Sequence, residues 1–176
     1  DVVDALEELE SNEHPVLGTG ILALTDIISN PYPGASVIPN ACQVTYDRRT
    51  LVGETKESIL AELKEQLSDL QAQQPNLEAT VDYAVGLAKC WTDVEIEAKR
   101  FFPAWLLDED HHLVQSALTG LQDAGLDPEL SHYSFCTNGS HFAGEAGIPT
   151  IGFGPSQENL AHVTDEYITI EQLVKG

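Results

Sequence analysis

NACQVTYDRRTLVGETKESILAELKEQLSDL, residues 40–70, changes its apolar period partway along. Over 40–52 the apolar positions alternate. Cys42, Val44 and Tyr46 share one side, which predicts a strand with one buried face. From Thr55 the spacing becomes helical. Ile59, Leu60, Leu63, Leu67 and Leu70 form one stripe, and Thr55 stands as the N-cap with Ser58 at the third helical position in place of the usual acid. The Gln- and Pro-bearing tract QAQQPN (71–76) ends that helix. A strand leading directly into an amphipathic helix is the unit of an α/β fold, and the flanking segments extend it.

Upstream, DVVDALEELES (1–11) carries a helical stripe of Val2, Val3, Ala5, Leu6 and Leu9 with no start signal before it. TGILALTDIIS (19–29) alternates Ile21, Ala23 and Thr25 against Leu22, Leu24 and Asp26 and is strand-like, and NPYPGAS (30–36) is a turn-rich loop. Downstream, EATVDYAVG (78–86) has the pattern of a third strand. Residues 1–98 are therefore expected to form an α/β sandwich with an antiparallel sheet, with 19–29 paired to 41–50 and the helix at 55–70 covering one face. This is one strand short of a split βαββαβ unit. The missing strand is expected before residue 1, in keeping with a first residue other than Met and a chain with no Met at all.

The second half differs. WLLDEDHHLVQSALTGLQDAGLDP (105–128) predicts a helix capped by Asp108 and stopped by Gly125 and Pro128. SHYSFC (131–136) and IPTIGFG (148–154) have the short apolar runs of buried strands. TNGSHFAGEAG (137–147) between them predicts a loop feeding a helix, and EYITIEQLVKG (166–176) a strand turning into a helix. Alternating strands and helices imply part of a parallel-sheet α/β domain.

Composition bounds the function. Eight Lys plus Arg stand against 29 Asp plus Glu, a net charge of −21. Such a surface disfavours nucleic acid and anionic membranes, since both demand a basic face. It suits either a well-solvated acidic protein or one adapted to high salt. No eighteen-residue apolar run exists, and the three cysteines, Cys42, Cys90 and Cys136, are far apart, as expected of reduced thiols in a cytoplasmic protein. HExxH, P-loop, GxGxxG and GxSxG signatures are all missing. His162, in the polar turn LAHVTDE (160–166), is the candidate that remains. On its own it could be a metal ligand, a general base or ordinary surface.

Three stretches in order narrow this: GASVIPNACQVTYDRRT (34–50), CTNGSHFAGEAGIPTIGFGP (136–155) and LAHVTDEYITIEQL (160–173). Together they resemble the C-terminal part of the zinc-dependent aminoacylase, desuccinylase and carboxypeptidase family. That family includes acetylornithine deacetylase and succinyl-diaminopimelate desuccinylase, and the nearest likeness is to its selenium-metabolism hydrolase subgroup. The resemblance covers essentially the whole chain. It implies that residues 1–98 are a lid and dimerisation domain lacking its first strand. Residues 99–176 would be the C-terminal part of a zinc-exopeptidase-like catalytic domain.

The resemblance also implies two zinc ions per intact site, other divalent metals being possible, and a homodimer joined through the lid. The implied substrate is an N-acyl amino acid or small peptide. His162 falls on a zinc ligand. Arg49 falls on an arginine that grips a substrate carboxylate, a task that suits a planar guanidinium; the plain alternative is an exposed arginine paired with Asp47. Ser36 stands where many members have Asn, and Asn138, Gly139 and Ser140 fall on a loop lining the substrate pocket, where turn geometry alone could also account for the glycine. Asp165 and Glu166 could orient His162 through its second ring nitrogen. The other metal ligands and the general base fall in family segments that precede the lid, so the chain alone is expected to be inactive. The rival readings are a lid that acts only as an interaction module, and a binding homologue that kept the fold and lost its metals.

Overall fold

The computed structural model describes residues 2–176; the first residue of the expected opening helix, Asp1, lies outside the described residues. The chain divides into two compact units, Asp1–Ala104 and Trp105–Gly176. The architecture is mixed α/β with small antiparallel sheets.

In the first unit, α1 (Val2–Glu7) precedes a two-residue hairpin, β1 (Glu13–His14) and β2 (Gly18–Thr19). The long strands β3 (Ile21–Asn30) and β4 (Ala41–Arg49) pair antiparallel, from Ile21 opposite Arg49 to Asn30 opposite Ala41, as the alternation required. A bulge interrupts the register between Leu24 and Asp26. Residues directly opposite each other share a face, so Leu22, Leu24, Tyr46 and Arg48 lie on one side, and Ile21, Ala23, Asp47 and Arg49 on the other. Beyond the bulge Asp26 stands opposite Thr45 and Ile27 opposite Val44. The simple alternation expected through Asp26 therefore fails at one residue: the bulge moves Asp26 to the side of Asp47 and Arg49.

Helix α2 (Lys56–Gln73) begins where the sequence placed it. Thr55 accepts from the Ser58 N–H, and the Ser58 hydroxyl accepts from the Thr55 N–H, a reciprocal capping box with serine in the acid's place. Ile59 and Leu67 are buried and Leu60, Leu63 and Leu70 half-buried. Arg48 ties α2 to the sheet. It donates to Glu62 of α2 and to Glu54 of the preceding turn, both at 2.7 Å. Glu54 also accepts from the Leu51 N–H (2.8 Å) and from Asn12 (3.2 Å). Burial pushes the Glu54 carboxyl up, but these donors and the Arg48 charge outweigh it and hold it below the usual carboxylate range.

The expected third strand at 78–86 lies later, at β5 (Val85–Lys89), and does not join β3–β4. It pairs with β6 (Glu95–Lys99), which the sequence pattern does not reveal. Asp93, at φ 64°, closes the turn between them, a left-handed position that Asp tolerates better than most residues. β6 is exposed at every position, so it lacks the one-sided apolar pattern by which strands are recognised. Thr50, just past β4, donates to the Phe102 carbonyl and accepts from the Ala104 N–H, fixing the last residues of this unit.

The second unit contains α3 (His112–Asp123), a π-helix (Ser140–Glu145), a 3-10 turn (Glu158–Leu160) and α4 (Ile170–Lys175). α3 is capped by His111, whose Nδ1 accepts from the Leu113 N–H, rather than by Asp108. It stops at Gly125, at φ 82°. The strands expected at 131–136, 148–154 and 166–169 do not form: the chain there joins no ladder, and it bends at 134–135. Tyr133, Phe135, Ile148, Ile151 and Phe153 remain exposed. An apolar run specifies burial, but a strand also needs a neighbour to hydrogen-bond, and this unit supplies none among the described residues.

Candidate functional site

Arg49 occupies the face of β3–β4 opposite Arg48. Its Nε lies 3.1 Å from Asp47, and the two side chains are 43% and 48% exposed. Strand alternation thus separates two adjacent arginines: Arg48 is spent on α2, while Arg49 holds only a surface partner and keeps most of its donors accessible. Ser36 lies exposed in the turn between β3 and β4, beside the Val37 N–H that donates to Gly34 at 2.6 Å.

Asn138, Gly139 and Ser140 lead into the π-helix. The Asn138 carbonyl accepts from the N–H groups of His141 (3.1 Å) and Phe142 (3.2 Å). Gly139 donates to the Thr137 hydroxyl at 3.1 Å, and Ser140 donates its N–H to the Thr137 carbonyl. Ser140 is only 4% exposed, its hydroxyl 3.6 Å from the Cys136 sulfur. Asn138 stays exposed. Gly139 does not have the left-handed backbone that turn geometry would demand, for its φ is −56°. The reason for glycine there is spatial: a Cβ would stand 2.5 Å from Cζ2 of the Trp105 indole. Sequence reasoning misses Trp105, because nothing local to Ala104–Leu106 signals a contact over thirty residues away. Single-turn π-helical insertions are rare and gather at functional sites.

His162 is exposed at φ 61° in a turn that also holds Asp165 at φ 62°. A bulky left-handed residue persists only when its surroundings hold it there. Here the Glu166 carboxylate accepts from the His162 backbone N–H at 3.0 Å. The expected aid from Glu166 therefore reaches the main chain and not the ring. No hydrogen bond joins His162 to Asn138–Ser140 among the described residues. Nearby in sequence, Glu158 accepts from both the N–H and the hydroxyl of Ser134 (2.8 and 2.5 Å), tying segments 131–136 and 158–160 together. Those bonds, with His132 close by, hold the Glu158 carboxyl below its usual range.

A zinc ion needs three or four protein ligands. Among the described residues no three His, Cys, Asp or Glu side chains are grouped to hold a metal. The described residues by themselves do not fit a zinc site, and the His162 imidazole stands exposed.

The chain belongs to Peptidase family M20/M25/M40, whose model matches residues 4–176. It is similar to the Uncharacterized protein YgeY of Escherichia coli strain K12 and of Escherichia coli O157:H7. Each is 33% identical over 151 residues, which is 85% of this chain and 36% of the relative's own length. No solved structure matches the chain. No helix among the described residues is long and apolar enough to cross a membrane.

Proposed function

We propose that this chain is the substrate-gripping and partly metal-binding portion of a dinuclear zinc amidohydrolase that cleaves the amide bond of N-acyl amino acids or small peptides. The observation that carries the reading is membership of the M20/M25/M40 peptidases over residues 4–176, with His162 as an exposed imidazole in a turn fixed by Glu166. When bound, zinc would polarise the scissile carbonyl and activate water. The chain's own residues then have binding tasks. Arg49 pairs with a substrate carboxylate in place of Asp47, Asn138 offers an exposed amide, and His162 contributes one ligand. Ser36 and Ser140 flank the substrate in this reading, although Ser140 is turned inward. The remaining ligands and the general base belong to the part of the relatives' length that the match does not reach. Residues 1–98 act as lid and 99–176 as catalytic portion.

The test uses the full-length gene product. Zinc content near two per protomer and turnover of N-acetyl amino acids are expected, while the 176-residue chain alone shows neither. Robust turnover by the chain alone would overturn the division of ligands. A full-length product that neither binds zinc nor cleaves amides would favour the metal-less binding homologue. A second reading, dimerisation through the lid, is favoured by β3 and β4, whose outer edges pair with no other strand among the described residues. Light scattering on residues 1–104 tests it, and a monomer at all concentrations rejects it.

A further inference from the structure

We propose that Trp105 is a positioning residue for the loop Asn138–Ser140, an inference that rests on the reading of that loop as substrate-lining. Three observations converge on it. Gly139 has an ordinary helical backbone, φ −56° and ψ −28°, which any residue could adopt, so its glycine answers to the space around it. The atoms that a methyl on Gly139 would meet first are all of one indole: Cζ2 at 2.5 Å, Cε2 at 2.6 Å and Nε1 at 2.7 Å. A fused aromatic ring cannot give way at its middle as the tip of a flexible side chain can.

Burial is also local. Gly139 and Ser140 are buried, whereas 131–136 and Asn138 are exposed, so the indole covers the one point where the loop turns inward. Just beyond that point the Asn138 carbonyl receives two backbone N–H groups and the π-helix starts. Displacing the ring would therefore release the anchored carbonyl of Asn138 and, with it, the direction of the exposed Asn138 amide. Trp105 acts on substrate only through this backbone, so it governs how well the loop fits substrate more than the chemical step.

The experiment measures hydrolysis of N-acetyl-L-leucine by the full-length gene product, together with amide hydrogen exchange at Ser140, His141 and Phe142. Gly139→Ala and Trp105→Ala are each expected to raise KM about tenfold while kcat stays within about threefold. Trp105→Phe, which keeps a flat ring on the glycine, should recover most of the loss. Trp105→Ala combined with Gly139→Ala should bind better than Gly139→Ala alone, because the vacated space admits the methyl. Exchange at the three amides should quicken in both single variants. Unchanged KM and exchange in Gly139→Ala overturn the proposal, as does a double variant no better than Gly139→Ala. Loss of thermal stability and kcat with KM unmoved also overturns it, since that marks a merely structural contact. A wild-type protein without turnover instead refutes the proposed function, and the exchange data then still decide whether Trp105 orders the loop.

Discussion

Arg48 and Arg49 are neighbours in sequence, and their truncation should have opposite consequences. Arg48 makes two charge-assisted hydrogen bonds of 2.7 Å, to Glu54 and Glu62, with side chains 19%, 12% and 32% exposed. Bonds of this kind contribute about 1.5–3 kcal/mol each when well shielded, and much less in open water. Removing Arg48 also leaves Glu54 half-enclosed without its cation, a further cost. Arg48→Ala should therefore destabilise the first unit by about 2–3 kcal/mol. With a urea slope of about 1.5 kcal/mol/M, the midpoint should fall by about 1.3–2 M. Arg49→Ala removes one exposed 3.1 Å pair, at a cost below about 0.5 kcal/mol.

The pH dependence separates them too. The Glu54 carboxyl is held low in the folded state, so its contribution is complete above the ordinary glutamate range and is lost as pH falls through the folded value. The acid limb of stability should be shallower in Arg48→Ala and unchanged in Arg49→Ala. Urea melts followed by circular dichroism, repeated from neutral pH to about pH 3, measure both quantities. Equal losses for the two variants would refute the assignment of Arg48 to the scaffold and Arg49 to the open face.

Leu67→Ala, at a position only 7% exposed, should cost about 2–3 kcal/mol in the same urea assay. In the full-length gene product, His162→Ala should lower zinc content and reduce turnover by more than about a hundredfold. With the metal removed from both proteins by chelation, its stability should differ from wild type by less than about 1 kcal/mol, because the imidazole is exposed; metal content and activity at wild-type levels would remove His162 from the ligand set. Ser134→Ala should let the Glu158 carboxyl rise toward its ordinary range, read as a shifted side-chain titration by NMR.

What the sequence disclosed tracks how local each cause is. The capping box at Thr55 and Ser58, the α2 stripe and the pairing of 19–29 with 41–50 depend on short-range pattern, and all three appear. The cap of α3 is misplaced by pattern alone because Asp108 has the commoner capping chemistry, while the histidine three residues on does the capping. The β5–β6 hairpin escapes because solvent on both sides of β6 leaves no alternation to detect. The apolar runs at 131–136 and 148–154 announce a burial that does not occur among the described residues, where Tyr133, Phe135, Ile148, Ile151 and Phe153 stay exposed. At the site, alternation along β4 requires adjacent arginines to face opposite ways, and Arg48 and Arg49 do lie on opposite sides of the sheet. The packing of Trp105 on Gly139 has no local trace at all, and the glycine has a plausible but wrong local explanation in turn geometry.

The bulge after Leu24 bears on how this chain should be lined up with its relatives. Continuing the register set by Leu22–Arg48 and Leu24–Tyr46 would bring Asp26 opposite Val44, placing a carboxylate on the side of Tyr46 and Arg48 and moving Ile27 off it. The one extra residue exchanges the two, and the Thr25 hydroxyl steadies the irregularity by donating to the Thr45 carbonyl at 3.1 Å. A homologue with an unbroken strand should lack a single residue here and keep its apolar phase across the gap. An indel inside a strand, usually taken as a sign of misalignment, would at this position be the expected trace of two backbones presenting the same face.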